Sequence, residues 1–194
     1  MKEDWQLVKE YLEGDDLAFE KIVQKYLGPI YNFLRQLTGD GELANDIASE
    51  TFFKVWKNLR RFNNQGSFKS WVFAIAKNTA FDFLKKKRAL PFSFLKNDSG
   101  EDFLENIKGS DQAPDEFVMQ RELVGNLDRA LARLPQSLRV VLFLYYKEEF
   151  SLKEISEILG KPYNTTKSLY RRALIALKKE MKFFNAPKLK DKQS

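Results

Sequence analysis

Along most of the chain apolar side chains return every three or four residues, a spacing that predicts helices and argues against strands. Residues 5–13 carry one such stretch and residues 17–37 a longer one, with Phe19, Ile22, Val23 and Tyr26 followed by Ile30, Phe33, Leu34 and Leu37. Gly28-Pro29 falls between the two sets; proline removes a backbone donor, so a bend or break is expected there. Beyond the turn Gly39-Asp40-Gly41, the residues Leu43, Ile47, Phe52, Val55 and Trp56 define the next helix. After the loop Phe62-Asn63-Asn64-Gln65-Gly66, Ser67 is placed to cap a helix with inner stripe Phe68, Trp71, Val72, Ile75, Ala76 and Thr79. That helix ends in the basic run Lys85-Lys86-Lys87-Arg88.

Periodicity lapses between Pro91 and Glu116, where seven acids outnumber two bases and Gly100, Gly109 and Pro114 interrupt the chain. An acidic, breaker-rich stretch between periodic ones predicts a linker. Helical spacing returns over 115–133 through Phe117, Leu123, Leu127, Ala130 and Leu131. The next predicted helix, Ser137 to Lys147, is apolar on most sides, which places it at a domain centre. The expected fold is all-α, two small helical domains joined by an acidic linker. The N-terminal domain covers 1–90, the flexible linker 91–113, the C-terminal domain 114–184 and a basic tail 185–194. A length of 194 residues allows two such units.

The sharpest local pattern begins at Ser151. Ser151 and Glu154 have the spacing of a capping box, in which each side chain satisfies a free backbone N–H at the helix start. Leu152, Ile155, Ile158 and Leu159 then share one face, Gly160 stands where a left-handed turn would end the helix, and Asn164 is placed to cap a second one. A short helix, a glycine turn and a second helix make a helix-turn-helix. On a 3.6-residue wheel Thr166, Tyr170, Ala173 and Leu177 of the second helix face inward, while Asn164, Lys167, Ser168, Arg171 and Lys178 face outward. The outer face suits phosphate oxygens and base edges in a major groove; the plainer alternative is a helical hairpin with a solvated basic face.

Charge sharpens this picture through its distribution. The net charge is +6, but residues 1–50 hold eleven acids and five bases, whereas 53–88 hold ten bases with Asp82 as the one acid. Residues 161–183 repeat the basic pattern with seven bases and Glu180 alone. Two basic segments behind an acidic front end are expected of a chain with two nucleic-acid footprints. With no Cys and no His, disulfides, thiolate nucleophiles, imidazole bases and the usual structural zinc ligands are excluded. No catalytic residue, metal or cofactor is expected. The charged start Met1-Lys2-Glu3-Asp4-Trp5, and the lack of any run near the roughly 18 apolar residues that span a bilayer, predict a cytoplasmic protein without membrane insertion.

These features, in this order, resemble the small two-domain bacterial sigma factors of the extracytoplasmic-function type. The C-terminal likeness runs through Leu131-Ala132-Arg133-Leu134-Pro135, the apolar helix from Leu138, Ser151-Leu152-Lys153-Glu154-Ile155, Thr165-Thr166-Lys167-Ser168, Arg172-Ala173 and Leu177. The N-terminal likeness rests on Asp46-Ile47 with Glu50-Thr51-Phe52-Phe53-Lys54-Val55-Trp56, and on Phe68-Lys69-Ser70-Trp71-Val72 through Ile75-Ala76-Lys77-Asn78 and Asp82. Asn45, Ser49 and Leu169 depart from the residues many members carry.

The resemblance implies a sigma factor, not an enzyme, with core RNA polymerase, promoter DNA and an anti-sigma factor as partners. It assigns Asn164, Thr165, Lys167, Ser168, Arg171 and Arg172 to the minus-35 element. Phe62, Asn63, Asn64, Lys77 and Asn78 fall to the minus-10 element, and Asp46, Glu50 and Phe53 to the polymerase. Plainer roles stand beside these. Among the aromatics Trp56, Phe68, Trp71 and Phe73, the first three lie on inner stripes and are expected in the core rather than stacked on bases. Lys77, Asn78 and Lys85 to Arg88 also fit a solvated face, and Asp46, Glu50 and Phe53 an ordinary helix surface. The linker carboxylates either mimic phosphates in polymerase channels or belong to a simple tether. The rivals are a stand-alone helix-turn-helix regulator and a DNA recombinase, the latter needing a catalytic Tyr or Ser among arginines that residues 1–90 do not provide.

Overall fold

A computed structural model describes residues 3–62, 66–86 and 125–185. Asn63, Asn64, Lys87, Arg88, the expected linker over 91–113, residues 115–124 of the following predicted helix and residues 186–194 of the tail lie outside the described residues. Among the described residues there are helices and no strands. In chain order these are α1 (Asp4–Leu12), α2 (Asp16–Thr38), α3 (Gly41–Asn58), α4 (Phe68–Lys86), α5 (125–133), α6 (Gln136–Leu142), α7 (Leu152–Leu159) and α8 (Tyr163–Asn185). A 3-10 turn, Leu59–Arg61, follows α3, and a π-helical turn, Phe143–Lys147, continues α6.

Short polar side chains start these helices as their sequence positions require. The Asp15 carboxylate accepts from Leu17 N–H at 3.0 Å at the start of α2, and that of Asp40 accepts from Glu42 and Leu43 at the start of α3. Ser67 Oγ accepts from Ser70 N–H at 3.3 Å, the expected cap of α4. The capping box at α7 is complete: Ser151 N–H donates to the Glu154 carboxylate at 2.9 Å, and Glu154 N–H donates to Ser151 Oγ at 3.3 Å. Gly160 closes α7 at φ 64°, a conformation that a Cβ would strain.

Two local expectations are corrected. Of the bend or break expected at Gly28-Pro29, the break does not occur, since α2 runs unbroken through Pro29. Tyr26 on one side of the proline, and Ile30, Phe33, Leu34 and Leu37 on the other, are all buried, and this packing outweighs one missing backbone bond. Asn164 does not cap α8, because the helix begins a residue earlier and its first bond runs from Thr166 N–H to the Pro162 carbonyl. Asn164 sits exposed in the first turn instead.

In the N-terminal half, α2 lies at the centre, burying Ile22, Ile30, Phe33 and Leu34 against Ile47, Ala48 and Val55 of α3 and Val72, Phe73 and Ala76 of α4. In the C-terminal half, α6 is the buried central helix its composition predicts; Val140 and Val141, with Leu144 from the π-turn, are packed with Ile155 and Ile158 of α7 and Ala173 of α8.

The two halves are joined by more than chain connectivity. Beyond the π-turn, Glu149 adopts φ 58°, uncommon for a residue with a side chain, and the reversal presents Glu148 and Phe150 to α4. The Phe150 ring meets Phe73 edge-on at 5.0 Å, and Lys69 Nζ lies over Phe150 at 4.7 Å. Lys69 also donates to the Glu148 carbonyl at 2.6 Å and pairs with its carboxylate at 3.0 Å. Ser70 Oγ donates to the Glu154 carboxylate at 3.2 Å, and the Gln136 side-chain amide donates to the Leu37 carbonyl. The buried side chains of both halves form one continuous cluster.

Candidate nucleic-acid and partner interfaces

The phase of α8 is the one its periodicity predicts. Thr166 and Ala173 are fully buried, Leu169 is nearly so, and Tyr170 and Leu177 are half-buried. On the opposite side Asn164, Lys167, Ser168, Arg171 and Arg172 line one shallow open groove together with Ile175, while Thr165 is exposed beside it. Three cations and two hydrogen-bonding side chains share that groove with no carboxylate, and the N-terminal turn of α8 adds backbone N–H groups and a partial positive charge. Leu169, a departure from the family pattern, points into the core and takes no part in this face. Sequence reasoning missed Ile175, which is 70% exposed and follows Arg171 by one helical turn.

On α4 the predicted residues divide. Asn78 is exposed, whereas Lys77 is half-buried with its Nζ 5.2 Å from the Phe81 ring. The same Nζ reaches the helix-turn-helix: a Cβ added at Gly160 would lie 3.3 Å from it. Burial, and then the neighbouring charge of Lys161, pushes the Lys77 amine below its ordinary pKa.

Phe62 is packed among aromatic rings rather than exposed. It is only 7% exposed and packs against Phe68 at 5.1 Å, Trp71 at 5.3 Å and Trp5 at 6.1 Å. The aromatic nest includes Tyr26, whose phenol donates to Asp4 at 2.7 Å; burial first, and that hydrogen bond second, raise its pKa strongly. Sequence reasoning missed the contribution of Trp5, which comes from the opposite end of the domain's sequence.

The α3 face gathers Asp46, Glu50 and Phe53 as predicted, with Asp46 and Phe53 exposed and Glu50 half-buried. It also holds Trp56, and this is a correction: Trp56 is 48% exposed and not in the core, its ring 6.0 Å from that of Phe53. The buried stripe of α3 is Ala44, Ile47, Ala48, Thr51, Phe52 and Val55, and Trp56 lies roughly 100° around the helix from its centre, an offset the wheel itself shows. Phe73, which was left off the core stripe, is fully buried between Phe33 and Phe150. Phe68 and Trp71 do pack in the core, the latter partly.

These are three surfaces: an acidic and aromatic one on α3, a basic and hydrogen-bonding one on α8, and a mixed one on α4 that meets the other half. Among the described residues no cluster of potential metal ligands occurs, and no helix is long and apolar enough to cross a membrane.

Comparison with known proteins gives these surfaces a family. Residues 22–90 match Sigma-70 region 2 and residues 125–177 match Sigma-70 region 4. The chain is 31% identical over 179 residues to the extracytoplasmic-function RNA polymerase sigma factor SigW of Bacillus subtilis, covering 90% of this chain and 95% of that protein. It is 29% identical over 182 residues to RNA polymerase sigma-H factor of Pseudomonas aeruginosa, covering 93% and 94%. Two solved structures share the fold. One is CnrH in complex with the cytosolic domain of CnrY, with TM-score 0.63, 18% identity and coverage of 93% and 97%. The other is the sigma factor RpoE in complex with the anti-sigma factor NepR from Bartonella quintana, with TM-score 0.61, 21% identity and coverage of 84% and 96%. With a region 2 helical core ahead of a region 4 helix-turn-helix, and full-length relatives of the same kind, the chain belongs to the extracytoplasmic-function sigma factors and directs promoter recognition in transcription initiation.

Proposed function

We propose a division of labour in which α3 grips core RNA polymerase, α8 reads the duplex minus-35 element and α4 reads one separated strand of the minus-10 element. The observation that carries this reading is the cationic, carboxylate-free groove on the outside of a helix-turn-helix, set apart from an acidic and aromatic face on α3. Asn164, Thr165, Lys167, Ser168, Arg171 and Arg172 dock in the major groove. Lys167, Arg171 and Arg172 are suited to phosphate or to guanine edges, and Asn164 to an adenine edge. Asn78 and Lys77 meet the separated strand, with Asn63 and Asn64 from the sequence between Phe62 and Gly66. Phe62 serves as a packed wall of that site rather than a stacking partner.

Asp46, Glu50 and Phe53, extended by Trp56, form the polymerase contact, a composition suited to a cationic partner surface with an apolar centre. The protein acts in the cytoplasm, where polymerase and DNA meet, and supplies binding energy for duplex opening without a covalent step of its own. An anti-sigma factor is a further partner, as it is for the structural relative from Bartonella quintana.

A pull-down with purified core polymerase tests the central contact. Asp46→Arg combined with Glu50→Arg is expected to abolish or sharply weaken retention while helicity by circular dichroism stays at the wild-type level. Undiminished retention moves the polymerase contact off α3.

A further inference from the structure

We propose that Ile175 reads a thymine of the upstream element through the C5-methyl group of the base, giving the basic face of α8 an apolar, base-specific contact. The proposal rests on the reading of α8 as the helix that docks in the minus-35 duplex, and adds to that reading a residue and the base it selects.

A lone exposed isoleucine calls for no explanation. Ile175 stands apart through its place on the helix. With about 100° between successive residues, Asn164, Lys167, Ser168, Arg171 and Arg172 fall within an arc of about 140°. Ile175 lies about 20° from Ser168, close to the middle of that arc. Thr166 and Ala173, both fully buried, stand about 160–180° away from it around the helix. The Ile175 side chain therefore points away from the protein, 70% exposed, into the groove that the cations line. In the run Ala173 to Leu177, the other four residues belong to the apolar core or pack against it, and Ile175 turns outward.

The chemistry of the major groove names the partner. Lysine, arginine, asparagine and serine can each bond a phosphate or a polar base edge, whereas isoleucine has no donor or acceptor and gains only by taking apolar surface out of water. Of the four bases, thymine alone presents a methyl group in the major groove. A guanine or cytosine edge under the same side chain would lose its water without receiving a hydrogen bond in return. Ile175 thus favours thymine by contact and disfavours the other bases by desolvation, the two halves of a specific choice.

Spacing supports the same assignment. Arg171, Arg172 and Ile175 follow Ser168 by three, four and seven residues. The reading helix of homeodomains touches base edges from four positions with those same offsets, so a helix laid in the major groove can deliver all four side chains to bases. Ile175 lies four residues beyond Arg171, about 6 Å along the helix, which matches about two base-pair steps of 3.4 Å. The thymine is therefore placed about two base pairs from the position that Arg171 contacts.

The test uses the full chain bound to purified core polymerase and offers it duplexes with a randomised upstream region. The wild-type complex is expected to retain fragments with thymine at one position, about two base pairs from the one whose preference Arg171→Ala alters. Ile175→Ala should lose the thymine preference and keep the others, Ile175→Val should keep it, and both should melt with the wild-type protein because the side chain is exposed. Replacing that thymine by deoxyuridine removes the methyl alone. It should weaken wild-type binding about fourfold, the worth of one buried methyl-sized group, and leave binding by Ile175→Ala unchanged. Base preferences that are the same for wild type and Ile175→Ala overturn the proposal, and so does a deoxyuridine penalty of equal size in both proteins. An equal loss by Ile175→Ala on every sequence overturns it too, since that marks a contact without base choice. If Lys167→Ala combined with Arg171→Ala also leaves every upstream preference unchanged, the reading of α8 itself fails and Ile175 falls with it, a result distinct from failure at Ile175 alone.

Discussion

The two helices assigned to DNA, α8 and α4, differ chiefly in what surrounds them. The outer face of α8 carries Asn164, Lys167, Ser168, Arg171 and Arg172 into an open groove. The corresponding stripe of α4 spends Lys69, Ser70, Phe73 and Lys77 on contacts with the C-terminal domain. Residues along an open groove can specify a ligand, whereas residues that hold a seam serve two masters. The same helix type, basic in sequence in both cases, thus yields a surface that is ready on α8 and conditional on α4.

The strongest way to break that contrast is to compare stability. Phe73→Ala removes a fully buried ring wedged between Phe33 at 5.2 Å and Phe150 at 5.0 Å. It is expected to cost about 3–5 kcal/mol in urea denaturation, the usual range for a buried Phe→Ala change. Loss of less than about 1 kcal/mol, the scale of a surface change, would remove the seam from the stabilising core. Arg171→Ala sharpens the other side. Stability should stay within about 0.5 kcal/mol of wild type, while binding to an upstream-element duplex weakens by about 1–3 kcal/mol if the guanidinium makes a bidentate base contact. A base contact makes the loss depend on sequence; a phosphate contact makes it uniform and the salt slope shallower by about one unit.

Ser151→Ala has a smaller effect, about 1 kcal/mol, because it deletes the N-cap of α7 and half of the capping box. The backbone N–H of residue 151 and the Ser70 hydroxyl still hold the Glu154 carboxylate, so only the contacts made by the Ser151 hydroxyl are lost. The smallest effect is a pH dependence. Burial alone would raise the Glu154 carboxyl, but hydrogen bonds from the Ser151 side chain and backbone, then Ser70 and the charge of Lys69, hold it below its ordinary value. A carboxyl depressed in the folded state stabilises that state above its unfolded pKa of about 4.3, and the gain is lost as pH falls through the folded value. The stability difference between wild type and Glu154→Gln should be full at neutral pH and shrink in acid below about pH 4.3.

What the sequence made legible was local. The caps at Ser67 and Ser151, the left-handed turn at Gly160 and the phase of α8 each follow from residues within a turn or two of one another, and each is found as expected. The all-helical fold and the helix-turn-helix followed from these. Pro29 was misleading because its local penalty is overridden by the burial of Ile30, Phe33 and Leu34, a tertiary effect. Trp56 was assigned inward on hydrophobicity although its helical angle pointed outward. The seam was not legible at all: Lys69 and Glu148 are 79 residues apart, and nothing in the local pattern of either announces the other.

Run-off transcription tests the account most directly. Purified core polymerase, with and without this chain, is offered a library of promoter fragments, and the start sites and templates of the transcripts are sequenced. Transcripts are expected only when the chain is added, from fragments sharing two elements at fixed spacing, with Arg171→Ala altering which upstream elements are used. Templates and start sites that are the same with and without the chain would contradict it.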